Sequence, residues 1–226
     1  MSIDLYLAGN CKEIMTDSHA KSISFGWGMN RSGQLRRPEE YHEAQPIIID
    51  DSIIATVSPS LTQALLPFCK NGCVLDFERQ PGNFHFALLS LLRKHKVKPL
   101  WVPKSFHVYA PEAEIMISCD LPHNSWKQFC SAQQKQYQNK WVLEYQPLHL
   151  VKNMPDTKNK EDFFLPEAIC MAKIKDHQLF YYDTKQTVIK KLLVAEQYGC
   201  QGMIGIQSEW ESLKKGSMSI VGVEPK

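Results

Sequence analysis

The sequence predicts an α/β fold, a compact TIM-type (β/α)8 barrel in which parallel strands alternate with helices. Short apolar runs typical of buried strands recur along the chain, and segments with helical spacing of apolar residues separate several of them. About eight strand candidates occur besides one hairpin, which favours a closed barrel over an open sheet. A usual barrel has about 250 residues, so a chain of 226 residues should have some helices shortened or missing. We expect residues 1–226 to form a single barrel domain.

The strands are predicted from short runs rich in apolar and β-branched residues, most of them bounded by turn residues. Two neighbouring runs, 46–51 and 53–57, are both candidates, and at least one of them should be a buried strand. The full set of strand candidates is 3–9, 22–28, 46–51, 53–57, 72–78, 100–103, 114–120, 141–146 and 202–207.

Capping residues indicate where helices begin and end. Asn83 and Ser125 can each cap the start of a helix, and Asp183 or Thr184 can start the last one. Gly199 suits the position after that helix, because glycine readily adopts the left-handed conformation found there.

The segment ahead of the last helix is predicted to contain a hairpin. Residues 168–175 and 179–182 flank the polar triplet 176–178, which suits a tight turn between two strands. Residues 152–162 are rich in Lys, Asn and Asp, and we expect them to form a mobile loop.

Composition and charge narrow the classes of function. The formal net charge is +2, so neither a nucleic-acid partner nor a membrane surface is indicated. No stretch is long enough to predict a membrane-spanning helix, and no export signal is recognisable. The seven cysteines form neither a disulfide framework nor a CxxC zinc pattern. Free thiols without an export signal predict a cytoplasmic protein.

No cofactor or metal ion is predicted. The eight histidines show no H-x-x-x-H or similar ligand spacing. The sequence also lacks a G-x-S-x-G nucleophile turn and a glycine-rich phosphate-binding loop, so nucleotide chemistry is not expected. No feature predicts the oligomeric state.

The main candidate for chemistry is a pair of acids, Asp76 and Glu78, at the end of a buried strand. Residues two apart in a strand point the same way, so the two carboxyl groups should share a face, about 6–7 Å apart. Burial and repulsion tend to raise the pKa of one such carboxyl, and a protonated carboxyl can act as a general acid. Asp120 also ends a predicted strand, where barrels of this type hold their active residues. The alternative is a surface turn with two solvated acids, one of them paired with Arg79.

Residues near the ends of other strands form a second group of candidates. The rings of Phe25, Trp27 and Trp101 could stack on the apolar face of a sugar ring, and packing in the protein core is the alternative for each. Further candidates for substrate binding are Cys119, Tyr145, Gln207 and Trp210.

One stretch, residues 71–78, reads N-G-C-V-L-D-F-E and resembles the D-G-x-D-x-D-[WF]-E signature of glycoside hydrolase family 18, the chitinase family. Residues 22–35 are similar to the second strand of that family and the turn after it. Segments 179–188 and 198–204 resemble its last helix and strand, especially in spore-associated members that carry lysin motifs. The resemblance covers most of the chain in the right order.

The resemblance implies substrate-assisted, retaining hydrolysis of N-acetylhexosamine polymers. Glu78 matches the general acid of the family, and Asp76 matches the acid that orients the acetamido group of the substrate, whose carbonyl oxygen is the nucleophile. General acid catalysis contributes about 10²–10⁴-fold to a rate. The implied partner is an oligosaccharide or glycan that contains N-acetylglucosamine.

Several residues depart from the pattern of the family. Val74 replaces the innermost acid, Cys119 replaces a tyrosine that holds the acetamido group, and Ile206 replaces the tryptophan under the sugar. Asp120 is retained, and Trp210 is displaced along the chain. Two hypotheses follow: a glycosidase that uses the acid pair, and a non-catalytic saccharide-binding or scaffold protein on a degenerate hydrolase barrel. Handling of internal sugars, or deposition during sporulation, would suit a chain without an export signal.

Overall fold

The computed structural model describes residues 3–9, 20–29, 32, 34–52, 63–119, 125–146 and 149–213, without the side chains of 149 and 150. Its strands are β1 (Asp4–Gly9), β2 (Ala20–Met29), β3 (Leu35–Arg36), β4 (Ile47–Asp50), β5 (Cys73–Asp76), β6 (Leu100–Pro103), β7 (Glu114–Ser118), β8 (Trp141–Glu144), β9 (His149–Asn153), β10 (Lys160–Leu165), β11 (Cys170–Lys175), β12 (Gln178–Tyr182) and β13 (Cys200–Ile206).

Eight parallel strands close into a barrel, which confirms the predicted fold class. Their order around the ring is β1, β2, β4, β5, β6, β7, β8 and β13, and β1 closes the ring by pairing with both β2 and β13. Because the strands are parallel, all their C-terminal ends lie at one mouth of the barrel.

The helices are α1 (Asn83–Lys94), α2 (Trp126–Tyr137), α3 (Lys185–Gln197) and α4 (Gln207–Ser212), with 3₁₀ helices at Leu66–Cys69 and Lys104–Tyr109. Predicted caps are found for two of them, whereas the cap predicted at Asn83 is wrong, because Gly82 is the N-cap and Asn83 is the first residue of α1. The Ser125 hydroxyl accepts a hydrogen bond from the backbone of α2, and Thr184 does the same for α3. Gly199 follows α3 with φ +80°. No helix among the described residues is long and apolar enough to cross a membrane.

Some of the helices expected around a barrel are shortened or replaced. Between β6 and β7 the connection is only a 3₁₀ helix. In the described residues 34–46, the chain between β2 and β4 forms β3, antiparallel to β2, followed by turns. These short connections explain how 226 residues suffice for the barrel.

A second, antiparallel sheet is inserted between β8 and α3, with strand order β10, β11, β12, β9. The predicted hairpin is confirmed as β11 and β12, whose turn residues Asp176 and His177 have φ of 50° and 59°. The loop expected at 152–162 is wrong in part, because β9 and β10 cover both of its ends. The strands β9 and β10 pair with the two strands of the hairpin. The backbone hydrogen bonds of this pairing outweigh the low strand propensity of the polar residues.

The barrel wall separates a small interior core from larger outer cores. The interior cluster contains Ile23, Val74, Trp101, Met116, Val142 and Ile204, with Tyr6 and Ile48 packed against it. Neighbouring residues in the same strands, such as Leu75 and Leu143, belong to outer clusters that the helices cover. This alternation fixes which residue at each strand end faces the mouth.

Candidate functional site

The acid pair follows the interior side of β5. Val74 lies in the barrel interior, whereas Leu75 and Phe77 pack in the outer core. Because side chains alternate along a strand, Asp76 and Glu78 continue on the side of Val74, toward the mouth. Both acids are exposed there.

Of the acids at the mouth, Asp76 is a carboxyl whose pKa is raised above its ordinary value. Although solvent reaches Asp76 from the mouth, partial burial is the largest cause that raises the pKa of this carboxyl. The negative charges of Glu78 and Asp51 raise the pKa of Asp76 further. Beneath Asp76 the interior residue is Val74, so the acid rests on an apolar layer.

Arg79 is directed away from the acid pair. Its guanidinium donates to the backbone carbonyl of Ser52, and no ion pair between Arg79 and Glu78 occurs among the described residues. The backbone N–H groups of Glu78 and Arg79 donate to the carboxylate of Asp51, at 3.0 and 2.9 Å. Asp51, which directly follows β4, therefore holds the two peptide groups after β5 in place.

A third acid at the mouth is Asp50, which lies beside Asp76 in the register of β4 and β5. Arg36 of β3 forms an ion pair with Asp50, and the Ser52 N–H donates to the same carboxylate at 3.0 Å. A Cβ at Gly28 would come within 3.0 Å of both Arg36 Nη2 and the carbonyl oxygen of Asp50. Because Gly28 has no side chain, the guanidinium of Arg36 has room to lie beside Asp50 at the mouth.

Apolar side chains occupy another arc of the mouth. Ile206 ends β13 on the side of the interior residue Ile204, and its register partner on β1 is Ala8. Phe25 follows the interior residue Ile23 on β2. The side chains of Phe25 and Ile206 are each 49% exposed. The mouth thus combines an acidic arc on β4 and β5 with an apolar arc on β13, β1 and β2.

Trp27 does not lie at the mouth, although it is two residues beyond Phe25. Between Ser24 and Trp27 the pairing of β2 with β4 shifts register, and Gly26 has φ +93°. This bulge turns Trp27 outward, where it is fully buried against Tyr41 and Phe68. Of the two alternatives for this side chain, the structure therefore favours core packing over stacking on a sugar.

Two other aromatic candidates are also buried. Trp101 lies in the barrel interior, and its indole N–H donates to Glu114 at 2.6 Å. Tyr145 follows β8 on the outer side, and its hydroxyl donates to Asp183 at 3.5 Å. Burial raises the pKa of Tyr145, and the charge of Asp183 adds to this effect.

The remaining candidates at strand ends also lie away from the mouth. Cys119 belongs to the outer core, and its thiol donates to the carbonyl oxygen of Glu144 at 3.4 Å, so Ser118 is the residue of β7 that faces the mouth. Gln207 and Trp210 belong to α4 and are 3% and 2% exposed. Asp120 lies outside the described residues.

Sequence reasoning missed several residues that the structure places at the strand ends around the mouth or beside the acid pair. They are Arg36, Asp50, Asp51, His85, Ser118 and Glu144. A signal for two of them was present, because Asp50 and Asp51 end the apolar run Ile47–Ile49 just as Asp76 ends its own. Among the residues that the structure describes, no group of three His, Cys, Asp or Glu side chains could hold a metal ion.

Neither a protein-family model nor a curated protein sequence matches the chain. Solved structures do match. The spore cortex-lytic enzyme SleL of Bacillus cereus has a TM-score of 0.54 at 12% identity, covering 92% of this chain and 73% of that chain. SleL of Bacillus megaterium QM B1551 has a TM-score of 0.53 at 9% identity, covering 92% and 72%.

A mutant of the class V chitinase from Nicotiana tobaccum, solved in complex with NAG4, has a TM-score of 0.57 at 10% identity. The match covers 91% of this chain and 93% of that chain. The chain has the barrel fold of these enzymes. The barrel fold that the resemblance to glycoside hydrolase family 18 implies is thereby confirmed.

Proposed function

We propose that the protein is a glycoside hydrolase-like protein that binds N-acetylglucosamine-containing glycans at the barrel mouth. The observation that carries this proposal is the position of Asp76 at the end of β5 and of Glu78 just after it, across the mouth from the exposed Ile206 on β13. A pyranose has an apolar face that suits an apolar wall and hydroxyl and amide groups that suit carboxylates.

In the proposed reaction Glu78 donates a proton to the oxygen of the scissile glycosidic bond. The acetamido carbonyl oxygen of the same sugar attacks the anomeric carbon, and Asp76 orients the acetamido group through its N–H. Water then opens the cyclic intermediate, with Glu78 acting as the base, so that configuration is retained. Burial raises the pKa of Asp76 and the charge of Glu78 adds to this effect, which supports electrostatic coupling between the two acids.

The solved structures support the class of ligand. The class V chitinase was solved in complex with NAG4, and both SleL proteins are spore cortex-lytic enzymes. Chitin oligosaccharides and glycans from spore material are therefore the first ligands to test.

A non-catalytic saccharide-binding protein is the second candidate. The observation that favours it is the apolar floor beneath the acids, where Val74 replaces the expected innermost acid. Ser118 at the end of β7 also lacks the ring with which a tyrosine could hold the acetamido group. Such a protein would bind a glycan through the apolar arc without cleaving it.

The substitution Glu78→Gln separates the two candidates. Gln keeps the shape of Glu but cannot donate the proton, so hydrolysis of an aryl chitobioside should be abolished while calorimetry still detects binding of a chitin oligosaccharide. Glu161→Gln on the exposed surface of β10 is the matched control and should retain full turnover. Binding without any turnover by the parent protein would favour the second candidate. A parent protein that shows neither binding nor turnover would refute both candidates.

A further inference from the structure

Asp51 is a buried carboxylate, 2% exposed, that directly follows β4. Its Oδ1 accepts the backbone N–H of Glu78 at 3.0 Å, and its Oδ2 accepts the backbone N–H of Arg79 at 2.9 Å. Hydrogen bonds to an ionised acceptor are stronger than those between neutral groups. One side chain thus holds two successive peptide groups, including that of the proposed general acid.

His85 of α1 supplies the third hydrogen bond to Asp51. Its Nε2 lies 3.0 Å from Asp51 Oδ2, and its Nδ1 accepts the backbone N–H of Gly82 at 3.0 Å. Because Nδ1 is an acceptor, the ring carries its proton on Nε2 and donates it to Asp51. The contact with Gly82 therefore fixes both the tautomer and the direction of the ring.

Aromatic side chains lock the imidazole in place. The ring centroid of His85 lies 4.7 Å from that of Phe77 and 5.0 Å from that of Phe106, and His85 is 2% exposed. Phe77 lies between the two acids in sequence, so the same packing also holds the backbone of the acid pair. A site held by rigid supporting contacts keeps its geometry better than one on a free loop.

We propose that Asp51 and His85 are positioning residues for the acid pair. His85 orients Asp51, and Asp51 holds the peptide groups on both sides of Glu78, so that this acid keeps its place relative to Asp76 at the mouth. This inference rests on the proposed function, since positioning serves activity only if the acid pair acts on a glycan.

Asp51 also acts on Asp76 through its charge. The charged groups around Asp76 are Glu78 on its own segment, Asp51 after β4, and Asp50 of β4, which is paired with Arg36 of β3. Loss of the negative charge of Asp51 removes one of the causes that raise the pKa of Asp76. The positioning effect of Asp51 can therefore be measured through amide exchange, and the effect of its charge through the pKa of Asp76.

The test uses two variants in the full chain. Asp51→Asn keeps the shape but turns one acceptor into an NH₂ donor that faces other donors. His85→Phe keeps an aromatic side chain but loses both hydrogen bonds. The control is Thr187→Val, which removes a buried hydroxyl bonded to Asp183 at 2.9 Å on α3, across the barrel. Amide hydrogen exchange by NMR is measured at Glu78 and Arg79, and the carboxyl carbon of Asp76 is titrated.

Exchange at Glu78 and Arg79 should accelerate about tenfold or more in both variants and stay unchanged in the control. In Asp51→Asn the pKa of Asp76 should fall, and with an active parent kcat should fall at least about tenfold with KM changed less than about twofold. Unchanged exchange in both variants, or equal acceleration in Thr187→Val, would overturn the inference. Amide exchange and the titration of Asp76 need no turnover. A parent protein that neither binds nor cleaves glycans would therefore refute the proposed function and leave these two measurements unaffected.

Discussion

The ammonium group of Lys191 lies 2.8 Å from Oδ2 of Asp183, and the two side chains are 4% and 0% exposed. Asp183 ends the inserted sheet after β12, and Lys191 lies in α3, so the pair ties this sheet to the helix layer. The hydroxyls of Thr187 and Tyr145 donate to the same carboxylate at 2.9 and 3.5 Å. The indole N–H of Trp126 donates to the Lys191 carbonyl at 2.8 Å, which joins α2 to this network.

Removal of one member of this buried pair should destabilise the protein strongly. Lys191→Met leaves the carboxylate of Asp183 buried without its counter-ion, so the free energy of unfolding should fall by about 3–5 kcal/mol. Urea denaturation followed by circular dichroism measures this change. The matched control is Lys135→Met on the exposed surface of α2, which should change stability by less than about 0.5 kcal/mol.

The double variant Asp183→Asn with Lys191→Met removes both charges together. It should recover much of the loss, because no unpaired charge stays buried and Asn can still bond to Thr187 and Tyr145. A double variant less stable than Lys191→Met alone would contradict this account of the pair.

Replacement of Asp76 by Asn should stabilise the protein at neutral pH. The pKa of Asp76 is raised in the folded state, so the ionised carboxylate lowers the free energy of unfolding above that pKa. As the pH falls through the folded pKa this cost decreases, and it is absent below the ordinary value of 3.8. Asn carries no charge, so Asp76→Asn should be more stable than the parent at pH 7 and equal to it at about pH 3.

The measurement is a series of urea denaturation curves between these two pH values. Solvent reaches Asp76 from the mouth, so the gain should be small. Glu161→Gln, an exposed carboxylate on β10, is the control for a general change in net charge. A gain that persists unchanged at low pH would show that the raised pKa is not its source.

The apolar arc should contribute to glycan binding through Phe25. Phe25→Ala removes an exposed ring at the mouth, and loss of stacking should weaken binding of a chitin oligosaccharide about two- to tenfold in calorimetry. Phe86→Ala is the matched control, because Phe86 is 38% exposed on α1 and packs on Tyr109 in the helix layer. Equal weakening by the two variants, or none by Phe25→Ala, would place the glycan elsewhere.

The sequence predicted most of the barrel because its strands are short buried runs with local signals at their ends. The run Cys73–Asp76 is bounded by Gly72 and ends in an acid, and hydrophobic alternation alone put Asp76 and Glu78 on one side. Helix α3 was predicted from a cap at Asp183 or Thr184, of which Thr184 is the cap, and from Gly199 after its end. These features depend on neighbours in sequence, so no knowledge of the fold was required.

The tertiary structure alone decided which strand-end residues reach the mouth and what holds them there. A single bulge at Gly26 reverses the direction of Trp27, and its position depends on the pairing of β2 with β4. Asp51 and His85 are 34 positions apart in sequence and meet only because β4 and β5 are neighbours in the barrel. Local sequence therefore set the alternation of each strand, whereas pairing between strands set its register and the contacts around the acids.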